Sequence, residues 1–198
     1  MTPTEILRHE HQIILKVLNR VEQIAAPEAP VDPAELAEIV DFIRTFADRC
    51  HHGKEENQLF ALMAERGFSF DFGPLAVMMA EHDQGRAFVR AVALELEKGD
   101  GAPDVSIVKE NLAAYAGLLR GHIAKEDTIL YPMADTTFSP EDQQALLEAF
   151  ERVESEMGEG THEKYHALAD RLAADCPARP EHDPIAAGGI HACPSFCH

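Results

Sequence analysis

The sequence predicts an all-α protein: an up-down antiparallel four-helix bundle with an internal two-fold repeat, followed by two shorter C-terminal helices. Three observations predict it. Apolar residues recur at steps of three and four along four long stretches, each bounded by capping residues, prolines or glycines. The apolar stripe of every stretch is interrupted by a histidine, twice with a glutamate one helical turn further on. Finally, residues 71 positions apart match: His11 with His82, His51 with His122, Glu55 with Glu126 and Leu59 with Leu130.

The first helix is expected over about 4–26, with Thr4 as cap and Pro27 and Pro30 as terminators. Leu7, His11, Ile14, Leu18 and Val21 form its stripe, whereas His9 falls beside Glu5 and Lys16 and reads as solvated. Asp32 followed by Pro33 opens a second helix to about Arg66, stopped by Gly67. Its stripe is Leu36, Val40, Ile43, Ala47, His51, Glu55, Leu59 and Leu62. A third helix runs from Pro74 to about Lys98 with Leu75, Met78, His82, Gly85, Val89 and Leu96 on one face. A fourth, from about Asp104 to Ala134, carries Tyr115, Leu118, His122, Glu126, Ile129 and Met133. Ser139 and Pro140 start a fifth helix ending near Gly158, and Thr161 is placed to cap a sixth to about Cys176. Residues 1–176 therefore read as one bundle domain and residues 177–198 as a separate irregular Cys/His-containing tail.

The chain has 198 residues and a formal net charge of −18. So acidic a chain argues against a nucleic-acid or anionic-membrane surface and favours cations or small molecules as partners. No run has the length and apolarity of a membrane span, and the chain reads as a cytoplasmic protein. Its four cysteines, Cys50, Cys176, Cys193 and Cys197, are too skewed toward the end to form a disulfide framework.

The stretch CHHGKEENQLF, residues 50–60, contains two overlapping His-x-x-x-Glu pairs, His51/Glu55 and His52/Glu56. Residues four apart on a helix are neighbours, so either pair can present a nitrogen and a carboxylate to one ion. His51 and Glu55 lie on the apolar stripe, while His52 and Glu56 lie about 100° away among Asp41, Thr45 and Asp48. The repeat makes the same choice, because only the first pair is 71 residues from His122 and Glu126. Glu56 then reads as a surface residue whose removal is expected to leave the centre largely intact. Four imidazoles and two carboxylates in one bundle layer, His11, His51, Glu55, His82, His122 and Glu126, would be costly to bury without a cation. Mixed imidazole and carboxylate donors suit iron, manganese or zinc, and two glutamates able to bridge suit a dinuclear centre in a bundle core.

The order His, His-x-x-x-Glu, His, His-x-x-x-Glu, with the phrases EHQII, FADRCHHGKEENQLF, AEHDQGR and HIAKEDTILYPMA, resembles the hemerythrin-like, HHE cation-binding group over about residues 4–175. The resemblance implies a four-helix bundle with an oxo- or hydroxo-bridged pair of non-haem irons. His11, His51, Glu55, His82, His122 and Glu126 would be the ligands, the two glutamates bridging. Met78 stands where oxygen-carrying hemerythrins have a further histidine one turn before His82. His52 is one replacement, and the THEKY segment, with His162, Glu163 and Tyr165, offers others.

Further residues admit two readings. Glu10 and Glu81 are solvated neighbours or partners of the ligand histidines. Tyr115 is a core residue or a hydrogen-bond donor to a bound oxygen species. Gly85 serves close packing or leaves room for a small molecule, and Cys50 is a small buried residue or a redox-sensitive thiol. In the tail, His191, Cys193, Cys197 and His198 are an incidental group, a zinc or iron site, or a dithiol that returns electrons to the core. The expected function is the binding or reduction of dioxygen, nitric oxide or peroxide, with an electron donor as partner. Iron or oxygen sensing, and iron storage or donation to an accepting protein, are the alternatives.

Overall fold

The computed structural model describes residues 1–98, 103–158 and 160–174. The four tail residues His191, Cys193, Cys197 and His198 lie outside the described residues. Thr2 rather than Thr4 starts the first helix, α1 (Pro3–Ala25). The Thr2 hydroxyl accepts the Glu5 N–H while the Glu5 carboxylate accepts the Thr2 N–H. Thr4 is thereby left to donate to Asp135 at 2.7 Å, tying α1 to the end of the fourth helix. The second helix, α2 (residues 33–65), begins as expected with Pro33 behind an Asp32 cap. It is not a uniform α-helix. Pro33–Phe42 is α-helical, Ile43–His52 and Glu55–Leu59 are π-helical, and Phe60–Glu65 returns to α. Gly67, at φ 100°, follows its end.

The third helix, α3, spans Pro74–Leu96. The fourth, α4 (residues 105–137), is capped by Asp104 and combines Val105–Lys125, a π-helical Glu126–Leu130 and Tyr131–Thr137. It runs three residues past the expected Ala134. Pro132 does not stop it, because it sits just after the π-helical turn at the start of a new α segment, where a missing N–H breaks no regular ladder bond. Ser139 and Asp142 form a capping box for α5 (Pro140–Met157). The sixth helix, α6 (Thr161–Ala173), begins from Gly160 in a left-handed conformation at φ 78°. Thr161 is its first residue rather than its cap, and its hydroxyl donates to the Met157 carbonyl.

Helices α1 to α4 form the four-helix bundle, α1 against α4, α4 against α3 and α3 against α2. Helix α6 lies along α1 and inserts Tyr165, Ala169 and Leu172 into the larger of two apolar clusters. Helix α5 crosses α1 and α2, adding Leu146 and Phe150 to the smaller. The larger cluster holds Ile14, Ala47, Val89 and Leu119; the smaller holds Leu7, Leu59, Met78 and Leu130. On each of the four helices the metal-ligand candidates fall between a residue of one cluster and a residue of the other. A polar layer thus crosses the bundle between two dry halves. No helix among the described residues is long and apolar enough to cross a membrane.

The repeat extends to the backbone. The π-helical segments Glu55–Leu59 and Glu126–Leu130 occupy equivalent positions. The longer segment Ile43–His52 has no counterpart, since residues 114–123 are α-helical. Such turns are often found at functional sites, and this one adjoins the histidine pair.

Candidate metal centre

All six predicted residues converge. His11, His51, His82 and His122 are each at most 1% exposed, and Glu55 and Glu126 are wholly buried. They form two overlapping groups in which one donor atom from each residue lies within 4.8 Å of the others: His11, His51, Glu55 and Glu126, and His52, Glu55, His82 and His122. Each carboxylate touches imidazoles of both groups. Glu55 Oε2 is 3.7 Å from His51 Nε2 and 3.5 Å from His82 Nε2. Glu126 Oε2 is 3.3 Å from His11 Nε2, and its Oε1 is 3.2 Å from His122 Nε2.

His52 joins the second group, buried and stacked on His82 with ring centroids 3.8 Å apart and planes 16° from parallel. A uniform α-helix would place it about 100° from His51. The π-helical run ending at His52 pairs each N–H with a carbonyl five residues back, so the chain turns less per residue and both rings face inward. Its repeat equivalent is Ile123, so the second group has an imidazole that the first lacks. Met78, by contrast, is buried in the smaller apolar cluster.

Each imidazole is held from outside by an acid, as metal-ligating histidines ordinarily are. The Nδ1 partners are Asp127 for His11 (2.9 Å), Glu10 for His51 (2.9 Å), Glu56 for His82 (2.7 Å) and Glu81 for His122 (2.9 Å). Asp48 serves His52 at 3.3 Å. Glu10 and Glu81 are therefore hydrogen-bond partners of His51 and His122 rather than free in solvent. Glu56 is a correction: it does not stand free on the surface but accepts from His82 and from Arg86 at 2.9 Å. The signal was present in the sequence, since Glu10/Glu81 and Glu56/Asp127 are also 71 residues apart. We therefore expect Glu56→Ala to weaken metal retention at the second group by about 10- to 100-fold, measured by competition with a chelator.

With Nδ1 committed to an acid, Nε2 of each ring faces the interior. His82 Nε2 and His122 Nε2 face one another at 2.9 Å, an approach that needs a proton or a cation between them. Glu55 Oε2 and both oxygens of Glu126 are buried without a hydrogen-bond partner. Such groups cost about 1–3 kcal/mol each, and more if charged. Burial and the neighbouring Glu126 raise the Glu55 carboxyl well above the usual range. Burial would raise Glu126 as well, but His122 and His11 hold it well below. Burial pushes His51 down to about 4 and His82 down to about 3, the latter helped by His52. His51 and His82 are thus neutral rings, whereas, against burial, Asp127 and Glu126 raise His11 to about 9 and Glu126 and Glu81 raise His122. Convergent Nε2 atoms, buried carboxylate oxygens without hydrogen-bond partners and acid-held imidazoles are what a bound cation would satisfy, and the donor set suits iron, manganese or zinc.

The two halves differ around this layer. Tyr131, fully buried, donates to Glu55 Oε1 at 2.6 Å and stacks on His11. Its repeat equivalent Phe60 stacks similarly on His82 but has no hydroxyl. Tyr115, which the sequence leaves with two readings, is buried in the larger apolar cluster beside Gly85 and also lines the cavity next to His52, His82 and His122. Tyr131→Phe keeps the ring and deletes the bond to Glu55. Its expected effect is a loss of about 1–2 kcal/mol from the metal-free protein, read from urea unfolding.

Lys54 was also missed as a site residue. It is fully buried, bonded to Glu10 at 2.5 Å and to Glu154 of α5 at 2.6 Å, and with His51 it holds the Glu10 carboxyl down at about 2 despite burial. Lys125 pairs with Glu81 in the equivalent place but is partly exposed. His162 does not reach either group. It lies 3.5 Å from the Cys50 thiol, which burial pushes up to about 12, and Glu163 is exposed. Tyr165 donates to Asp41. His9 is exposed, as expected.

A four-helix bundle crossed by a buried layer of acid-held imidazoles and shared carboxylates belongs to the class of helical proteins built around a cation. The narrower placement follows from the sequence: the family profile described as "Hemerythrin HHE cation binding domain" matches residues 2–134, and the chain belongs to that family. The match includes all residues of both groups. Among its curated relatives are uncharacterized proteins of Mycobacterium bovis and Mycobacterium tuberculosis, each 26% identical over 157 residues, covering 76% of this chain and 60% of the relative. The chain thus spans only about 60% of the length of these relatives. No solved structure matches it significantly.

Proposed function

We propose that the protein is a non-haem di-iron protein that binds and reduces a small oxidant such as dioxygen, nitric oxide or peroxide. The observation that carries this reading is the sharing of Glu55 and Glu126 between two histidine groups. His11 and His51 would hold one iron, and His52, His82 and His122 the other, with both carboxylates bridging. An adjacent iron pair supplies a two-electron couple, which lets a small oxidant be reduced without a one-electron step.

The protein's own residues do the rest. The outer acids Asp127, Glu10, Asp48, Glu56 and Glu81 keep each Nδ1 protonated and each Nε2 available. The two apolar clusters keep bulk water from the layer. The Tyr131 hydroxyl holds a proton against Glu55 Oε1 and fixes that carboxylate's orientation. On the side of the His52 group a cavity of about 180 Å³ adjoins His52, His82 and His122, giving a small molecule room to approach.

Metal analysis of protein purified without oxygen, followed by stopped-flow mixing with dioxygen, nitric oxide and peroxide, tests the proposal. About two irons per chain are expected, with catalytic consumption of one oxidant when an external electron donor is supplied to re-reduce the irons. Reversible dioxygen uptake without turnover would turn the reading to carriage or sensing. Iron release on oxidation would turn it to donation, and fewer than two metals, or zinc alone, would overturn it.

A further inference from the structure

Where α5 and α6 meet α1 and α2, a further group of donor side chains lies apart from the histidine layer. Cys50 of α2 is buried, and its Sγ is 3.5 Å from Nε2 of His162 on α6. With Glu10 of α1 these two form a set whose donor atoms all lie within 4.8 Å of one another. Glu154 of α5 also approaches the imidazole, its Oε1 3.9 Å from His162 Nε2. His166 follows His162 by one helical turn, with ring centroids 5.9 Å apart, and both rings meet Phe46 at a steep angle. The family profile ends at residue 134, so His162, His166 and Glu154 lie beyond the part of the chain it describes.

Three features of this group have no role in the layer. Two histidines at i and i+4 on one helix can present both imidazoles to one ion. The Nε2 atom of His166 is buried without a hydrogen-bond partner, an exception that calls for a cause. Burial, His162 and His9 hold His166 below its ordinary value, so the ring is neutral and able to act as a donor. Charge favours a cation here as well. Lys54 is bonded to both Glu10 and Glu154, one positive charge against two negative, which leaves a surplus negative charge beside the thiol. Glu10 has both oxygens engaged, by His51 and Lys54, whereas Glu154 engages Lys54 through Oε1 and is partly exposed.

We propose that Cys50, His162 and His166, with Glu154 beside them, form a separate site for one borderline-soft divalent cation, for which zinc is the fitting ion. One sulfur and two imidazole nitrogens, with a carboxylate or water as fourth donor, match what zinc takes in a tetrahedral site. Coordination displaces the thiol proton to solvent, and the cation binds the thiolate that remains. His162 is partly exposed, so an ion reaches the site without crossing the apolar core. Once bound, it would join α6 to α2. The inference is independent of what the layer holds.

Cobalt(II), as a spectroscopic probe for a tetrahedral zinc position, is titrated anaerobically into the iron-loaded protein with its thiols reduced, and iron and cobalt per chain are measured on every sample. About one cobalt per chain should bind without loss of iron, with a thiolate-to-cobalt charge-transfer band that added zinc removes. Neither donor group of the layer contains sulfur, so the band reports this site whatever the layer binds. His162→Gln and His166→Gln should each abolish the band at unchanged iron content, and so should Cys50→Ser. The two histidines are partly exposed, so their variants are expected to fold even if Cys50→Ser does not. Glu163→Gln, at an exposed position on α6, should leave the band unchanged. Cobalt that enters only by replacing iron, with no such band, overturns the site. A band that persists in Cys50→Ser arises from Cys176, Cys193 or Cys197 and overturns it too, as does unchanged cobalt affinity in His166→Gln. An intact band on protein that fails to hold two irons would count against the di-iron reading and leave this site standing.

Discussion

Glu55→Ala is expected to empty both metal positions, taking metal content from about two per chain to near zero, whereas His52→Ala empties only one. Glu55 is the member common to both donor groups, and its Oε2 lies between His51 and His82. Its loss removes a donor from each group and leaves Glu126 as the sole buried carboxylate between them. His52 contributes to the second group alone, so the first keeps His11, His51, Glu55 and Glu126. Elemental analysis after anaerobic loading checks both variants against Glu56→Ala, whose effect should be graded rather than complete. Equal loss from His52→Ala and Glu55→Ala would show that the two positions fill only together. Full metal in Glu55→Ala would refute the shared-carboxylate arrangement.

Removal of metal should also lower the unfolding temperature by about 8–16 °C, with full recovery on reloading. A ligand present at a thousand times its dissociation constant stabilises the native state by about 4 kcal/mol, and in a chain of this size each kcal/mol corresponds to about 2–4 °C. The structural cause is the set of carboxylate oxygens without hydrogen-bond partners and the close approach of His82 Nε2 to His122 Nε2, which a bound cation would relieve. Glu55→Gln separates this cause from general damage. In the metal-free protein Glu55 is held neutral by burial and by Glu126, so its amide isostere should unfold within about 1 kcal/mol of the parent. The variant should then fail to gain stability when iron is added. Calorimetry with and without chelator measures both effects. A Glu55→Gln variant that still gains the full increment would show that the stabilisation comes from another site.

The helix count and the six central residues were legible because they depend on local periodicity and on a repeat of constant length. Thr2 and Thr161 show where that reading stops. Several nearby residues can cap a helix, and which one does so is decided by contacts such as Thr4 with Asp135, 131 positions away along the chain. The pattern of the fourth helix points to an end near Ala134, yet a π-helical turn ahead of Pro132 lets the helix continue to Thr137.

The amino-acid sequence by itself determined the four-helix bundle, its repeat, and the set His11, His51, Glu55, His82, His122 and Glu126, since each follows from spacing along one helix or from comparison of two. Only the tertiary structure decided the asymmetry of the centre. The inward turn of His52 depends on a π-helical run that α-helical periodicity does not contain. The pairing of Glu56 with His82, and of Tyr131 with Glu55, joins residues on different helices, whose relative rotation and depth are set by packing. The cavity beside His52, His82 and His122 is lined by residues of α2, α3 and α4, so it exists only once the three helices are packed together.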